Sequence, residues 1–314
     1  MGDIIMRWGK QGGFGTQATT FKKVSRGNTN FNTIGEKNKY VKLGGGRGKK
    51  KSFPGVIIFN GSTDSSTGFR KLKYMFECLA GNNSVVGNKI KYNKSYISDY
   101  FTVDLTDEIE AMRFMNAVFN SLTITGNANS ELNVKVDYFA SEKREITVNT
   151  SGDEVLYDGS DLMYYKMCNI SWGTYDIGSM VNSFTHMITN NIDPEKFLTI
   201  SDDTYRAIRF SDVDASFECS GLYLDNKLRK ESWGNNSVYG ASKDVIKDFV
   251  VTYKDPNSNA TLKFKAKAKI DVNTNTPNSD LTNQTIKFVF EYDDVEDCLF
   301  YIEYDSGGST GGTV

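Results

Sequence analysis

Alternation of apolar and polar residues predicts a chain built mainly from β-strands. The clearest example lies at 131–139, where Leu132, Val134 and Val136 alternate with polar neighbours. A period of two places one side of a strand in a core and leaves the other side at a surface. Comparable runs predict strands at 21–31, 56–59, 101–105, 117–125, 180–189, 208–224, 249–253, 261–270, 285–292 and 298–304.

One stretch has helical spacing instead. Apolar residues recur at intervals of three and four, at Phe69, Leu72, Phe76 and Leu79. They share one face of an α-helix, and Gly81 is a typical residue at which such a helix ends. The polar residues at 64–66 are candidates for its N-cap. Two shorter stretches, 107–115 and 226–232, are candidates for one or two helical turns.

Three segments follow neither pattern. Residues 1–20 are rich in glycine, and we expect an extended N-terminal arm anchored by Trp8 and Phe14. Residues 32–52 are expected to form a long polar loop, and a loop of this length inside a compact domain is usually functional or disordered. Residues 306–314 are mostly Gly, Ser and Thr, which predicts a flexible tail.

The composition fits a β-rich protein and argues against several classes. The 314 residues are 39% hydrophobic and 13% aromatic, and the net charge of −2 indicates neither a nucleic-acid nor a membrane partner. No run of about 18 apolar residues occurs, so we expect no membrane span. The N-terminus does not resemble a signal peptide. The four cysteines form no CxxC pair. We therefore expect a chain that folds in a cytoplasm with reduced thiols.

No group of residues indicates an enzyme. The single histidine, His186, lies in a predicted strand, and we expect it to be packed or hydrogen-bonded there. The glycines at 9–15 and 44–48 do not lead into helices, so neither is a phosphate-binding loop. Acid pairs such as Asp202 and Asp203 are common in loops. We predict no catalytic residues, no metal site and no cofactor.

Two segments carry opposite charge. The basic segment, 37–51, contains no acid and has seven cations: Lys37, Lys39, Lys42, Arg47, Lys49, Lys50 and Lys51. The acidic segment, 291–305, contains no Lys or Arg, and its first acids are Glu291, Asp293, Asp294, Glu296 and Asp297. Both could be solvated loops. In a self-assembling chain they are candidates for a contact between subunits, because complementary charge steers association. Contact of the lysines with DNA phosphates is the less favoured alternative.

The order of predicted elements is similar in two parts of the chain, 21–140 and 180–304. Each begins with a strand, continues through a polar loop, and ends in a helical stretch and long antiparallel strands. This pattern suggests a duplicated module, with a first module at 21–150 and a second at 151–305. Two similar modules in one chain would let a trimer imitate a hexamer.

Three segments resemble the tail tube, or major tail, proteins of long-tailed bacteriophages. The first is the start of the chain from Trp8 to Ala18, and the second is the predicted hairpin that begins at Asn116 and turns at 126–129. The third runs from Val181 through the turn at Asn190 and Asn191. Together with the order of elements, the resemblance spans most of residues 4–304.

The resemblance implies a mainly β fold, with an antiparallel β-sandwich or partial barrel and a short flanking helix in each tube module. It implies a virion protein that self-assembles into stacked rings around a lumen through which DNA is ejected. The implied partners are further copies of the chain, a tape measure in the lumen, a terminator, a baseplate and genomic DNA in transit. It also implies assembly in the bacterial cytoplasm. Trimeric rings are favoured over hexameric ones.

Two other functions remain open. The chain could be another ring component of a tail or neck, such as a terminator, adaptor or baseplate protein, or a carbohydrate-binding β-sandwich marked by exposed Trp and Tyr. A lumen wall should not bind phosphates. We therefore expect that four lysines alternating along one strand do not jointly line the lumen: Lys263, Lys265, Lys267 and Lys269.

Overall fold

The structure is a computed structural model. It describes residues 5–26, 29–34, 58–81, 85–92, 99–106, 111–147, 152–156, 159–192, 213–222, 228, 245–277 and 282–307. No helix within these ranges has the length and apolar character needed to cross a bilayer.

The described residues are mainly β, as expected from the sequence, with one helix of three turns. In chain order the elements are β1 (Ile5–Lys10), β2 (Lys22–Arg26), β3 (Thr29–Ile34), β4 (Ile58–Ser66), α1 (Phe69–Ala80), β5 (Val85–Val86), β6 (Lys89–Tyr92), β7 (Phe101–Thr106), β8 (Ala111–Asn127), β9 (Asn133–Ala140), β10 (Glu142–Glu145), β11 (Glu154–Val155), β12 (Cys168–Trp172), β13 (Tyr175–Asp176), β14 (Val181–Thr189), β15 (Asp214–Leu222), β16 (Lys247–Lys254), β17 (Thr261–Pro277), β18 (Thr282–Glu291) and β19 (Phe300–Asp305).

Strand β8 joins two groups of strands. Its first half pairs with β7 and β10, and its second half pairs with β9 and β14. At the junction Asn116 has a positive φ of 55°, a conformation that Asn tolerates better than most residues. The Asn116 amide donates to Ser141 Oγ at 2.8 Å, and its Oδ1 accepts from the Gly15 N–H at 2.6 Å. The left-handed backbone position in β8 is therefore held by two hydrogen bonds of the Asn116 side chain.

The two groups of strands differ in size. The smaller, sheet A, has the order β11-β2-β1-β7-β8-β10 and is antiparallel except for the β11–β2 pair. The larger, sheet B, runs from β3 through β4, β9, β8, β14 and β15 to β18, β17, β16, β12 and β13. All of these sheet B pairs are antiparallel.

Strands β18 and β19 lie one after the other along the same edge of β17. Residues 267–277 of β17 pair with β18, and residues 261–266 pair with β19. The chain leaves this edge only at 292–299, which form a short excursion between the two strands. The other edge of β19 pairs with β6. The excursion contains most of the acids at the start of the acidic segment.

Helix α1 packs its apolar face into the core between the sheets. Leu72, Phe76 and Leu79 are fully buried or nearly so, as the helical spacing predicted. The helix begins after Gly68, without a side-chain cap, and ends at Gly81, whose φ of 84° suits glycine. The expected N-cap at 64–66 is wrong, because these residues belong to β4. The carboxylate of Asp161, from a distant segment, accepts instead from the Arg70 N–H at 3.4 Å.

A row of charged side chains crosses three adjacent strands of sheet A. Arg7 on β1, Asp104 on β7 and Arg113 on β8 are direct neighbours in register, and all three are buried. Asp104 accepts from Arg7 Nε at 2.9 Å and from Arg113 Nε at 2.7 Å. Asp153 pairs with Arg7 Nη1 at 2.9 Å. We call these four residues the buried charge row. Its charges balance within the sheet.

Most predicted strands are confirmed, but the expected arm is partly wrong. Residues 5–10 are not an extended arm, since β1 is hydrogen-bonded to β2 on one edge and β7 on the other. The ambiguous stretch at 107–115 is β-strand from Ala111 onward. The loop expected at 32–52, apart from the end of β3, lies outside the described residues. So does most of the helix expected at 226–232.

The two halves of the chain share hydrogen-bonded edges. β14 of the second half pairs with β8 of the first, and β19 pairs with β6. The structure does not confirm the duplication. The module boundary near residue 150 stays a prediction.

Candidate assembly surface

Of the two charged segments proposed to meet between subunits, the structure describes only the acidic one. All seven cations of the basic segment lie outside the described residues. The five acids proposed as their partners lie at the end of β18 and in the excursion at 292–299. The structure therefore shows the geometry of the acidic side of this contact and leaves the contact itself a prediction.

The excursion is a tight turn held by its own side chains. The Asp293 N–H donates to the Cys298 carbonyl at 2.9 Å. Asp293 Oδ1 accepts from the N–H of Val295 at 3.0 Å and from that of Glu296 at 3.3 Å. The Tyr292 hydroxyl donates to Asp297. Val295, at the tip of the turn, is 92% exposed.

Two of the acids are already paired within the chain. Glu296 accepts from Lys89 Nζ at 2.7 Å and from Lys91 Nζ at 3.0 Å, which ties the excursion to β6. These hydrogen bonds lower the pKa of Glu296 and raise the pKa of both lysines. Glu291 pairs with Lys269 at 2.8 Å. Asp294 remains an exposed acid of the turn.

The four alternating lysines of β17 form an ordered array with acids of neighbouring strands. Lys265 Nζ lies 2.5 Å from Glu303, Lys267 Nζ lies 2.6 Å from Asp248, and Lys263 Nζ lies 3.9 Å from Asp305. With the Lys269–Glu291 pair, each lysine has an acidic neighbour. We call these four lysines and four acids the lysine ladder. The lysine side chains are between 28% and 38% exposed, so the ladder lies at the surface.

Strand register explains which acid each lysine reaches. Lys263 lies directly opposite Glu303, but Glu303 pairs with Lys265, two residues further along β17. The same diagonal offset joins Lys263 to Asp305 and Lys269 to Glu291. Diagonal neighbours on one face of a sheet are within reach of long side chains. Lys267 lies opposite Glu291 on β18 and opposite Asp248 on β16, and its ammonium pairs with Asp248.

The two proposed arm anchors have different environments. Trp8 is fully buried in the core, with its ring 4.5 Å from that of Phe119 and 6.3 Å from that of Tyr74. It therefore connects β1 to β8 and α1. Phe14 is 39% exposed and packs edge-on against Tyr100 at 5.2 Å. Trp8 thus holds the N-terminal segment to the core, whereas Phe14 holds it to Tyr100 at the surface.

The three segments that carry the resemblance to tail tube proteins meet around β8. The first approaches it where the Gly15 N–H donates to Asn116. The third contains β14, which pairs with β8, and the Asn190 N–H donates to the Asn120 carbonyl at 2.7 Å. The Ile192 N–H donates to Asn120 Oδ1 at 2.8 Å. Segments far apart in sequence thus form one structural unit.

The single histidine of the chain lies inside the fold. His186 is buried, and its Nδ1 lies 2.8 Å from the Tyr253 hydroxyl, which confirms the expected packed histidine. Burial lowers its pKa to about 3, so the ring is neutral. Within the described ranges no group of three or more His, Cys, Asp or Glu side chains could hold a metal ion. The two tryptophans in these ranges, Trp8 and Trp172, are fully buried.

Sequence reasoning missed the ladder and the buried charge row. The lysines were visible as an alternating set, but their acidic partners lie on other strands, and Asp248 is not part of the acidic segment. Arg7, Asp104 and Arg113 carried no signal, because only the strand register brings them together.

Comparison of the chain with models of known protein families and with curated proteins finds no match.

Proposed function

We propose that this chain is a structural subunit that self-assembles into stacked rings and forms the tail tube of a long-tailed bacteriophage. The observation that carries the proposal is the meeting of the three tube-like segments around β8. Gly15 contacts Asn116, β9 pairs with β8 as the other arm of the hairpin, and β14 pairs with its opposite edge. Motifs that resemble one family in sequence have more weight when they form one structural unit.

The proposed role is mechanical rather than catalytic. Rings of the chain would enclose a lumen for a tape measure and later for DNA in transit, and the ends of the tube would meet a terminator and a baseplate. Assembly would take place in the bacterial cytoplasm, and the mature location would be the virion tail. Trimeric rings remain favoured over hexameric ones. Among the aromatic residues that would mark a carbohydrate-binding surface, Trp8 and Trp172 are buried, whereas Tyr164 and Tyr292 are exposed.

The stacking contact is proposed to join the basic segment of one ring to the acidic turn of the next. Asp294 is the acid of this turn best placed for such a contact, because it is exposed while Glu291 and Glu296 pair with lysines of their own chain. Such charge complementarity would fix the register of stacked rings more than it would add affinity.

Negative-stain electron microscopy of the purified chain at increasing concentration tests the proposal. Rings and tubes are expected, and a monomer at every concentration would contradict it.

The stacking contact is tested by Lys50→Glu and Asp294→Lys, each of which should leave rings but shorten tubes. The double variant should restore tube length. Asp176→Lys, at an exposed acid of β13, is the matched control and should have no effect. Single rings without any tubes would favour a terminator or adaptor.

A further inference from the structure

We infer that the lysine ladder is a masked polyanion-binding surface: its four acids keep Lys263, Lys265, Lys267 and Lys269 from binding the phosphates of nucleic acid. The masking is a property of the single chain. Its use, to let DNA slide past the protein without being held, rests on the proposed function.

The first argument is the spacing of the lysines. Alternate residues of a strand project from the same face, and the row covers roughly 20 Å at about 3.4 Å per residue. Duplex DNA carries, in each strand, one phosphate per about 3.4 Å of helix axis. About 20 Å of duplex therefore carries about six phosphates in each strand, which is enough to offer one phosphate to each of the four lysines.

The second argument is the pairing geometry. Three of the four lysine ammonium groups lie within 2.8 Å of a carboxylate oxygen, and the fourth lies 3.9 Å away. A lysine paired this way gains less from a phosphate, because it must first leave its carboxylate partner. The ladder therefore has four positive and four negative charges in place of a bare positive row.

The third argument is that the acids come from three different strands. Asp248 is on β16, Glu291 is on β18, and Glu303 and Asp305 are on β19. Lys267 is paired across the other edge of β17, with Asp248 of β16. Because no single run of sequence supplies the acids, all four pairs depend on the assembled sheet.

This inference changes one expectation from the sequence. The four lysines were expected to stay out of a lumen because a basic wall would retain DNA. With each lysine paired to an acid, that reason no longer applies to this face. The position of the ladder relative to a lumen stays a prediction.

The experiment removes the acids and keeps the lysines. In the unmasked variant, all four ladder acids become neutral: Asp248→Asn, Glu291→Gln, Glu303→Gln and Asp305→Asn. Binding to a fluorescent 30-base-pair duplex is measured between 50 and 300 mM NaCl. The unmasked variant should bind at least about 100-fold more tightly than the unmodified chain at 50 mM salt. Its logarithmic salt dependence should be steeper by about 3.6, since each phosphate contact contributes about 0.9.

A matched control separates masking from net charge. It makes the same change in charge at four acids away from the ladder: Glu131→Gln, Glu145→Gln, Glu154→Gln and Asp176→Asn. The increase in DNA affinity of this control over the unmodified chain should be less than about a tenth of the increase shown by the unmasked variant. Replacing the four ladder lysines by Gln in the unmasked variant should abolish the gain.

Single substitutions keep the test decisive if the fourfold variant does not fold. Glu303→Gln alone should steepen the salt dependence by about 0.9, the value of one additional contact. A folded variant with no gain over the unmodified chain overturns the inference, and so does an unmodified chain that binds as tightly as the unmasked one. Assembly is scored separately by electron microscopy. Loss of tubes would therefore contradict the proposed function. The DNA affinity tests only the masking of the lysines.

Discussion

The buried charge row and the lysine ladder use the same chemistry in different environments. Both place cations and carboxylates on neighbouring antiparallel strands, so that register brings them together. In the buried charge row Asp104 is 0% exposed and is shared by two arginines. In the ladder each lysine is about one-third exposed and has its own acid.

The difference in burial separates structural from surface roles. Removing one partner of a buried ion pair leaves an uncompensated charge in a medium of low polarity, which strongly destabilises a fold. Exposed pairs contribute little to stability, because water and salt screen them. The buried charge row should therefore hold sheet A together, whereas the ladder should determine what sheet B can bind.

The largest effect is expected for Asp104→Asn. This substitution leaves Arg7 and Arg113 buried without their shared carboxylate, although Asp153 still pairs with Arg7. We expect the free energy of unfolding, measured by urea denaturation, to fall by about 3–5 kcal/mol. Asp248→Asn makes the same chemical change in the ladder and should cost less than about 1 kcal/mol. Equal losses for the two variants would remove the distinction between the two regions.

A third site sharpens the comparison, because there a buried cation has neutral partners. Lys71 on α1 is 0% exposed and donates to Ser65 Oγ at 2.6 Å and to the Ser66 carbonyl at 3.1 Å. Burial lowers its pKa to about 8, against 10.5 for the unfolded chain. Since the unfolded chain binds the proton more tightly, Lys71 makes the fold less stable at neutral pH, and this cost disappears as pH rises from about 8 to 10.5.

Lys71→Met should therefore flatten the pH profile of stability. The unmodified chain should gain about 3 kcal/mol from this group between pH 8 and 10.5, relative to the variant. The unfolding free energy of both chains is measured by urea denaturation at several pH values. Because both chains contain the same tyrosines, subtracting the two profiles removes the contribution of the tyrosines. Lys73→Met, two residues along the same helix and about one-third exposed, is the control. It should leave the pH profile unchanged, and an identical flattening there would contradict the explanation.

The sequence predicted those elements whose burial differs between their two sides. Helix α1 and the hairpin of β8 and β9 have one apolar side and were located to within a few residues. The first half of β8 was ambiguous because residues 113–119 are buried on both sides, so alternation is lost. The strand nature of residues 5–10 was missed because β1 is also buried at four consecutive positions. A strand in the interior of a structure carries no period of two.

For the charged surfaces, the sequence predicted residues that are neighbours along the chain but not pairs that form between strands. The acidic and basic segments were visible because like charges are adjacent in the sequence. The pairing of Lys267 with Asp248 depends on the register of β16 against β17, across a separation of 19 residues. Register is set by many weak contacts along two strands. For this reason sequence reasoning identified the lysines and missed their pairing with acids of the neighbouring strands.

The smallest effect on stability is expected within the ladder itself. Glu303→Gln removes the partner of Lys265, whose ammonium lies 2.5 Å from the Glu303 carboxylate and 5.9 Å from the centre of the Tyr301 ring. Because both side chains keep contact with water, the unfolding free energy should change by less than about 1 kcal/mol, and by less still in 0.5 M NaCl. A double-mutant cycle with Lys265→Gln measures the coupling between the two residues directly. A coupling above about 2 kcal/mol would mean that the ladder stabilises the fold, as the buried charge row does. A coupling near zero, together with a gain in DNA binding by the same Glu303→Gln variant, would mean that this glutamate affects binding by the surface and contributes nothing measurable to the stability of the fold.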